Sequence, residues 1–206
     1  DGGRPVLVAC RDEDEQTQWL CERILAHREQ GVEFKQQAVL FRAQHHSMAL
    51  EMELSRRNLP FRKYGGLRFV EMAHVKDLVG FLRLAENPRD AMAGLRVLGL
   101  LPGIGPRTAA ALLDALSTAG GDFVAAWRGA RVPEAARTAW PGVVELFATL
   151  AAGRRDVPAQ IHAVRSVYGP LLERRYDDAQ ARLRDLEQIE GLASRARTRA
   201  EFLAEL

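Results

Sequence analysis

Cysteine is scarce in this chain, with only Cys10 and Cys21 among 206 residues. Two cysteines without the spacing of metal ligands exclude a disulfide scaffold and are typical of reduced thiols in the cytoplasm. No apolar run approaches the roughly 20 residues that a membrane-spanning helix needs, and no signal-peptide pattern opens the chain. We therefore expect a cytoplasmic protein without a membrane partner.

Lysine is also rare, so the positive charge of the chain is almost all arginine; the lysines are Lys35, Lys63 and Lys76. The 29 basic and 27 acidic residues leave a formal net charge of +2. This small charge excludes a positive potential over the whole protein surface. Any contact with nucleic acid must then use local clusters. Arginine suits bidentate phosphate contacts, although a GC-rich genome produces the same bias.

The motifs of nucleotide hydrolysis and of metal binding are missing as well. The sequence contains no Gly-x-x-x-x-Gly-Lys-Ser/Thr loop, no Asp-Glu metal pair, no nucleophile elbow and no Cys/His cluster. His45 and His46 are adjacent on a predicted helix and do not face one another, so with His74 they do not form a metal site. We expect no catalytic residue, no metal site and no cofactor within this chain, which cannot hydrolyse a nucleotide alone.

Hydrophobic periodicity divides the chain at Gly65-Gly66. Before the two glycines, apolar strands alternate with amphipathic helices, and the pattern predicts a parallel α/β unit that forms part of a larger sheet. The predicted strands are residues 5–10, 37–41 and 59–64, and the predicted helices are 12–28 and 45–57. Beyond the glycines the period is helical throughout, with helices at 72–86, 91–101, 107–116, 122–128, 134–152 (interrupted by Pro141), 158–167 and 180–197.

A tight Gly-Ile-Gly turn interrupts the helical region at residues 103–105, between an apolar segment and an Ala/Leu-rich helix. The glycines permit backbone angles closed to other residues, and Ile104 is placed to pack between the two helices. Amides at the start of the second helix favour an anion such as a phosphate. The pattern fits a sequence-independent grip on a nucleic-acid backbone, and it equally fits an ordinary connection between packed helices.

Three further stretches carry weaker signals. Arg42 and Gln44 follow a predicted strand, at the edge where α/β sheets bind ligands, either to contact a phosphate and a base or as a solvated capping loop. Lys76, near the start of a predicted helix, is placed either to hold a phosphate or as a solvated side chain. The pair Gly65-Gly66 is either a simple turn or a hinge.

Together, several stretches resemble the UvrD/PcrA/Rep group of superfamily 1 DNA helicases. The matching stretches, in order along the chain, are residues 38–42, Leu50-Glu51 with Leu54, 59–69, 75–77, 81–88 and 103–105 with Arg107-Thr108. Their order and spacing fit the family closely between residues 38 and 108. Residues 182–187 resemble a later helix of the family, so the resemblance covers nearly the whole chain.

The resemblance implies a partial RecA-like motor domain of the P-loop NTPase type, called 2A, over residues 1–64. It implies an all-helical accessory domain with a helix-hairpin-helix-like turn, called 2B, over residues 65–206. Tyr64, Gly65 and Gly66 would form the hinge between them. The residues that the resemblance places against single-stranded or duplex DNA are Arg42, Gln44 (where the family often has Asn), Lys76, Gly103, Ile104, Gly105 and Thr108.

On this resemblance, the chain is expected to be a fragment of an ATP-dependent DNA helicase, an ATP hydrolase of DNA unwinding and repair. ATP and Mg²⁺ would bind to parts of the parent protein that precede residue 1 and follow residue 206, so the fragment alone would be inactive. The expected partners are single- and double-stranded DNA, the remaining helicase domains of the same chain and repair proteins.

A different class of function stays open, in which the helical part is a regulatory or protein-docking module of a helicase-nuclease without duplex contact. An exposed apolar patch without basic residues around 103–108 would favour docking, whereas clustered arginine or lysine there would favour DNA. A free-standing helix-hairpin-helix DNA-binding protein is a third interpretation, which the incomplete predicted sheet and the abrupt chain ends disfavour.

Overall fold

The computed structural model describes residues 4–64, 68–153 and 156–206, with only the backbone of Gln44 and His45. The proposed hinge residues Gly65 and Gly66 therefore lie outside the described residues.

Two compact units make up the chain. The first is Asp1–Phe69 with Glu205, and the second is Val70–Ala204 with Leu206. Whether they are the motor domain over residues 1–64 and the accessory domain over 65–206 stays a prediction.

The expected parallel α/β, RecA-like unit is wrong for the residues that the structure describes, because none of them belongs to a strand or sheet. The apolar segments predicted as strands carry no regular secondary structure. Val6 and Leu7 are 77% and 98% exposed, and Leu40 is 94% exposed. A segment becomes a strand only when its backbone groups pair with a neighbour, and these segments find no such neighbour in the described chain.

The first unit is built on two α-helices, α1 (Glu13–Glu29) and α2 (Met48–Arg56). Short 3₁₀ helices at Phe34–Gln36 and Gln44–Ser47 lie between them. Cys21 of α1 and Leu50 and Leu54 of α2 form the core, and the partly buried side chains packed on it are Leu20, Ile24, Val39, Leu59 and Phe61. The predicted strands at 37–41 and 59–64 thus supply core residues without forming a sheet.

The second unit is all-helical, as the periodicity predicts. Its helices are α3 (Ala73–Glu86), α4 (Ala91–Leu98), α5 (Pro106–Thr118), α6 (Phe123–Trp127), α7 (Trp140–Ala151), α8 (Val157–Glu173), α9 (Ala179–Leu192) and α10 (Arg199–Ala204). Pro141 lies in the first turn of α7, where its missing N–H costs nothing. Among the described residues, no helix is long and apolar enough to cross a membrane.

Aspartate begins helices in both units. The side chains of Asp12, Asp90, Asp122 and Asp156 each accept a hydrogen bond from a backbone N–H in the first turn of α1, α4, α6 and α8. Each carboxylate satisfies an amide that has no partner inside the helix and lies at the positive end of the helix dipole. These helix starts are therefore specified locally.

Buried aromatic rings form the core of the second unit. Phe147 of α7 stacks on Phe123 at 4.6 Å and on Phe81 at 5.9 Å between ring centroids, and it meets Trp127 edge-on at 5.4 Å. The indole N–H of Trp127 donates to the carbonyl oxygen of Leu112 at 2.9 Å, so the polar end of this buried ring is satisfied. The core joins α3, α5, α6 and α7.

Helices α3 and α4 form an antiparallel pair. Arg83 near the end of α3 reaches Asp90 at the start of α4 (3.1 Å), and Arg96 near the end of α4 reaches Asp77 at the start of α3 (2.7 Å). Asp77 is 3% exposed, and its second carboxylate oxygen accepts from the hydroxyl of Tyr168 on α8 at 2.7 Å. Burial and the bond to Asp77 raise the pKa of Tyr168 above its ordinary value, which keeps the hydroxyl a donor.

The Tyr168→Phe variant tests this connection. It removes the hydroxyl that donates to Asp77, and we expect the free energy of unfolding to fall by about 1.5–3 kcal/mol, as for a hydrogen bond to a charged group. Urea denaturation followed by tryptophan fluorescence measures the change. Tyr176→Phe is the control, because the Tyr176 ring packs on the Arg182 guanidinium at 4.0 Å and phenylalanine keeps that contact. An equal loss in both variants would contradict the expectation.

Glu53 of α2 links the stability of the first unit to pH. Its buried carboxylate accepts from Arg56 Nε (2.8 Å) and Nη2 (2.6 Å) and from Arg57 Nε (2.6 Å). The hydrogen bonds from Arg56, opposed by burial and assisted by Arg57, lower the pKa of Glu53. A lowered pKa in the folded state means that Glu53 stabilises the protein above the ordinary glutamate pKa of about 4.3, and that this stabilisation is lost as the pH falls below it.

We expect Glu53→Gln to lower the free energy of unfolding at neutral pH by about 1 kcal/mol, since both arginines retain some solvent exposure. The difference from the wild type should shrink as the pH falls below about 4.3 and disappear only when the pH is below the lowered pKa of Glu53 in the folded state. Urea denaturation at neutral and acidic pH measures both values. Glu22→Gln, an exposed site on α1, is the control, and a pH-independent difference for Glu53→Gln would refute the assignment.

Candidate nucleic-acid interface

The connection between α4 and α5 is short and partly buried. Leu101 and Ile104 are 3% and 6% exposed, and the amide of Ile104 donates to the carbonyl oxygen of Leu101 at 3.2 Å. These apolar side chains anchor the connection to the helices, as the position of Ile104 in the sequence predicts. Gly103 and Gly105, on either side of Ile104, remain exposed.

The two glycines of the turn have different physical roles. Gly103 has a φ of +76°, which favours glycine, and a Cβ there would lie 3.1 Å from Cβ of Pro133 and 3.6 Å from Cβ of Ala135, so its surroundings leave little room for a side chain. Gly105 has a φ of −88°, and a Cβ at this position would have no neighbouring atom within 4 Å. The fold does not require glycine at 105, and its bare backbone leaves the start of α5 open to a ligand.

Helix α5 begins without a side-chain cap. Gly105 is the N-cap residue, Pro106 occupies the first turn, and the amide of Ala109 donates to the Gly105 carbonyl oxygen at 2.9 Å. Among the described residues, the amides of Arg107 and Thr108 meet no acceptor. These amides lie at the positive end of a 13-residue helix, whereas in four other helices of the described chain an N-cap aspartate accepts a hydrogen bond from such an amide.

One exposed basic side chain belongs to this helix start, and a second lies two residues before Pro133, which packs against the turn. Arg107 is in the first turn of α5, and the segment carrying Arg131 and Pro133 packs against Gly103. Both arginines are exposed, and neither forms an ion pair with a residue that the structure describes. Arg131 was not among the residues singled out from the sequence. It is 28 positions from Gly103, and no sequence pattern indicates that the two segments meet.

Lys76 belongs to the same end of the α3–α4 pair as the turn. It is exposed in the first turn of α3, next to Asp77, which holds Arg96 of α4. A second bond from Arg96 Nη2 to the carbonyl oxygen of Ala73 (3.2 Å) fastens the end of α4 to the start of α3. The turn follows α4 directly, so the structure brings Lys76 and the turn to one end of this helix pair. Thr108, half-buried, is the third residue of α5.

Arg42 and Gln44 belong to the first unit. Arg42 is exposed in a bend before the 3₁₀ helix Gln44–Ser47, and the structure describes the backbone of Gln44 but not its side chain. Phe41, beside Arg42, is 40% exposed, and an exposed aromatic ring next to an arginine is a feature of single-strand binding surfaces. Tyr64, the described member of the proposed hinge, is 83% exposed.

A buried histidine joins the start of α3 to α9. His74 is 1% exposed, and its Nδ1 lies 3.1 Å from Nη1 of Arg182 while its Nε2 lies 3.1 Å from Oδ2 of Asp185. A guanidinium only donates, so Nδ1 accepts and Nε2 carries the hydrogen that is donated to Asp185. Protein groups thus occupy both ring nitrogens of His74.

The described residues do not fit a magnesium–nucleotide site. No group of three or more histidine, cysteine, aspartate or glutamate side chains among them is arranged to hold a metal ion. A groove of about 580 Å³ lies between α3 and α10, and its charged lining residues are Lys76, Arg83, Glu86 and Asp90. The mixed charge of this groove differs from the clustered backbone amides that bind phosphates in a phosphate loop.

Known proteins similar to this chain are DNA helicases. DNA helicase II of Escherichia coli K12 is 28% identical over 202 residues, which are 91% of this chain and 28% of that protein. ATP-dependent DNA helicase UvrD1 of Mycobacterium tuberculosis H37Rv is 32% identical over 208 residues, which are 95% of this chain and 27% of that protein. The chain thus spans little more than a quarter of the length of these relatives.

The family model of the UvrD-like helicase C-terminal domain matches residues 1–124, more than half of the chain. This match includes the first unit, the α3–α4 pair, the Gly-Ile-Gly turn and α5. The predicted relation to the UvrD/PcrA/Rep helicases is confirmed. The chain belongs to the UvrD-like helicase C-terminal domain family.

Proposed function

We propose that this chain is the part of an ATP-dependent DNA helicase that grips DNA during unwinding and repair. The observation that carries the proposal is the open start of α5, with the bare backbone of Gly105, the amides of Arg107 and Thr108 that meet no acceptor among the described residues, and the exposed side chain of Arg107 in the same turn. A phosphate is the ligand that this arrangement suits. Membership of a helicase family supports DNA as its source.

The duplex grip would use residues from two helices and the turn: Gly103, Ile104, Gly105, Thr108 and Lys76. Gly103 and Ile104 would shape the turn, Gly105 and Thr108 would present backbone amides to a phosphate, and Lys76 would hold another phosphate. Such contacts carry no sequence information. They suit an enzyme that must move along DNA of any sequence.

The single-strand contact would lie on the first unit. Arg42 would pair with a phosphate and Gln44 would contact a base or the sugar–phosphate backbone. The exposed ring of Phe41 supports this proposal, because stacking on an aromatic side chain is independent of base identity.

A hinge at Tyr64, Gly65 and Gly66 would let the two units move during unwinding. In the parent protein, ATP with Mg²⁺ would bind outside this chain, and hydrolysis would drive the movement of the motor domains. The chain alone would bind DNA without hydrolysing ATP. Its partners would be single- and double-stranded DNA, the remaining helicase domains and repair proteins.

The alternative, a docking or regulatory module without duplex contact, has less support. Met92 and Leu95 of α4 are 79% and 39% exposed and share one face of the helix. Two side chains make a small apolar patch compared with the few hundred Å² typical of interaction sites. Arg107 is exposed in the first turn of α5, directly after the Gly-Ile-Gly turn, and this basic side chain supports a DNA contact.

The Gly105→Asp variant separates a ligand contact from a structural role. Aspartate is a better N-cap than glycine and fits the open space at 105, so we expect stability to be kept or raised. Its carboxylate would occupy the amides and repel a phosphate. Duplex affinity should fall at least about tenfold, and the slope of log K against log salt should weaken by about 0.9, one phosphate contact. Fluorescence anisotropy with a labelled duplex measures both.

Gly142→Asp is the matched control, because Gly142 is also exposed, has open space around it and lies in the first turn of α7. It makes the same change in net charge at another helix start. Duplex binding that is independent of salt, or that falls equally in both variants, would refute the proposed grip at Gly105.

The Arg42→Ala variant tests the single-strand contact. Loss of one phosphate partner should weaken binding of labelled oligothymidine and reduce its salt slope by about 0.7, while duplex affinity changes little. Arg62→Ala removes the same charge from another exposed position of the first unit. If Arg62→Ala weakens binding as much as Arg42→Ala, the effect is general electrostatic attraction and the assigned contact is wrong.

A further inference from the structure

Two arginine–aspartate ion pairs join the ends of the antiparallel helices α3 and α4. At one end Arg83 of α3 pairs with Asp90, whose side chain is 16% exposed. At the other end Arg96 of α4 pairs with Asp77, whose side chain is only 4% exposed. The pair of Arg96 and Asp77 belongs to the end that carries Lys76 and the Gly-Ile-Gly turn.

Three contacts fix the guanidinium of Arg96. Its Nε donates to Oδ1 of Asp77 at 2.7 Å, and its Nη2 donates to the carbonyl oxygen of Ala73 at 3.2 Å. The aliphatic stem lies over Gly80 of α3, where a Cβ would be 3.6 Å from Cδ of Arg96. Asp77 is held in turn by the hydroxyl of Tyr168 at 2.7 Å. The guanidinium is therefore oriented before any ligand binds to it.

One nitrogen of this guanidinium has no protein partner among the described residues. The side chain of Arg96 is 39% exposed, and no hydrogen bond joins its Nη1 to the described part of the chain. Arg199 shows the contrast of an arginine used entirely by the fold. Its side chain is 12% exposed, and its three nitrogens all donate to groups of α3, α7 and α8. A solvent-accessible guanidinium N–H without an acceptor suits a phosphate oxygen.

The location of Arg96 connects it to the proposed duplex grip. Arg96 lies in the last turn of α4, and the Gly-Ile-Gly turn follows that helix directly. Its two acceptors, Asp77 and Ala73, lie on either side of Lys76 in the sequence at the start of α3. Arg96 thus joins the two elements to which the proposed function assigns phosphate contacts.

We propose that Arg96 is a further phosphate ligand of the duplex grip, binding through Nη1 while Asp77 and Ala73 hold the rest of its guanidinium. This inference rests on the proposed function and adds to it a charged residue that the sequence patterns did not single out. Asp77 is the positioning residue of this contact and does not touch DNA. Because the guanidinium is already held, it loses little conformational freedom on binding. The contact is to the DNA backbone and is independent of sequence.

Arg96→Gln tests the contact by removing the guanidinium and its charge. Duplex affinity should fall about tenfold, and the slope of log K against log salt should weaken by about 0.9, as for loss of one phosphate contact. Fluorescence anisotropy with a labelled duplex measures both. The control is Arg83→Gln, which removes the same charge and an ion pair from the opposite end of the same two helices. It should keep the affinity within about twofold. An equal fall in both variants, or no fall in Arg96→Gln, would overturn the inference.

Two further variants separate DNA binding from stability, because Arg96→Gln takes a charged donor from the buried Asp77. Arg96→Lys supplies a charged donor to Asp77, but an ammonium bound there does not extend to the position of Nη1. We expect Arg96→Lys to keep a urea midpoint close to the wild type and to lose as much duplex affinity as Arg96→Gln. Tyr168→Phe weakens the contacts of Asp77 without touching Arg96, and its affinity should stay within about twofold. If Arg96→Lys recovers the affinity together with the stability, only the ion pair matters and the inference is overturned.

The side-chain Nε–H signals of arginine in ¹H–¹⁵N NMR spectra report on the contact directly. The signal that is missing in Arg96→Gln identifies Arg96, and the one missing in Arg83→Gln identifies Arg83. Addition of a saturating amount of duplex should shift the Arg96 signal and leave the Arg83 signal in place, because a phosphate at Nη1 changes the hydrogen bonding of the whole guanidinium. An unchanged Arg96 signal in the presence of the duplex would refute the assignment.

Gly105→Asp, measured with the same duplex, separates the possible failures. If Gly105→Asp weakens binding and Arg96→Gln does not, the proposed grip stands and the role of Arg96 is wrong. If Arg96→Gln weakens binding while Gly105→Asp matches its control Gly142→Asp, the phosphate contact of Arg96 is supported and the contact at Gly105 is wrong. If neither variant weakens binding, both proposals are wrong.

Discussion

The carboxylate of Asp77 is the contact on which the second unit depends. It lies inside the protein and is satisfied by two donors from different helices, Arg96 at 2.7 Å and Tyr168 at 2.7 Å. A buried charge tolerates little displacement of its partners, because an unpaired carboxylate in a low dielectric costs several kcal/mol. The start of α3, the end of α4 and the middle of α8 are therefore held in one arrangement. Lys76 and the turn after α4 are exposed at this end of the helix pair, and the contacts of Asp77 hold their backbone in place.

The two glycines of the turn, Gly103 and Gly105, have different structural roles. Gly103 is favoured by its positive φ, and Pro133 packs closely against it. Gly105 is required by neither, and its bare surface faces open space at the start of α5. Because the fold does not require glycine at position 105, a ligand contact has its best support there.

Local signals predicted the helices well and the strands badly. Asp12, Asp90, Asp122 and Asp156 cap helices that the periodicity had located, because capping and amphipathic spacing act within a few residues. The segments at 5–10, 37–41 and 59–64 have the apolar character of strands, but strand formation needs a partner elsewhere in the chain. In the described residues they remain unpaired, with Leu7 and Leu40 exposed. A run of apolar residues indicates a tendency to be buried, but it does not indicate which part of the protein would bury the segment.

The amino-acid sequence by itself determined the helical region, the position of the Gly-Ile-Gly turn and the relation to the helicase family, since each rests on residues that are close together or in a characteristic order. Only the tertiary structure decided that Pro133 lies against Gly103, that Gly103 and Gly105 differ in their roles, and that Glu51 accepts hydrogen bonds from Lys63 and from the amide of Phe69. These features depend on contacts between residues that are far apart along the chain. Their contacts depend on how the helices pack, and packing is a property of the whole chain that no local pattern contains.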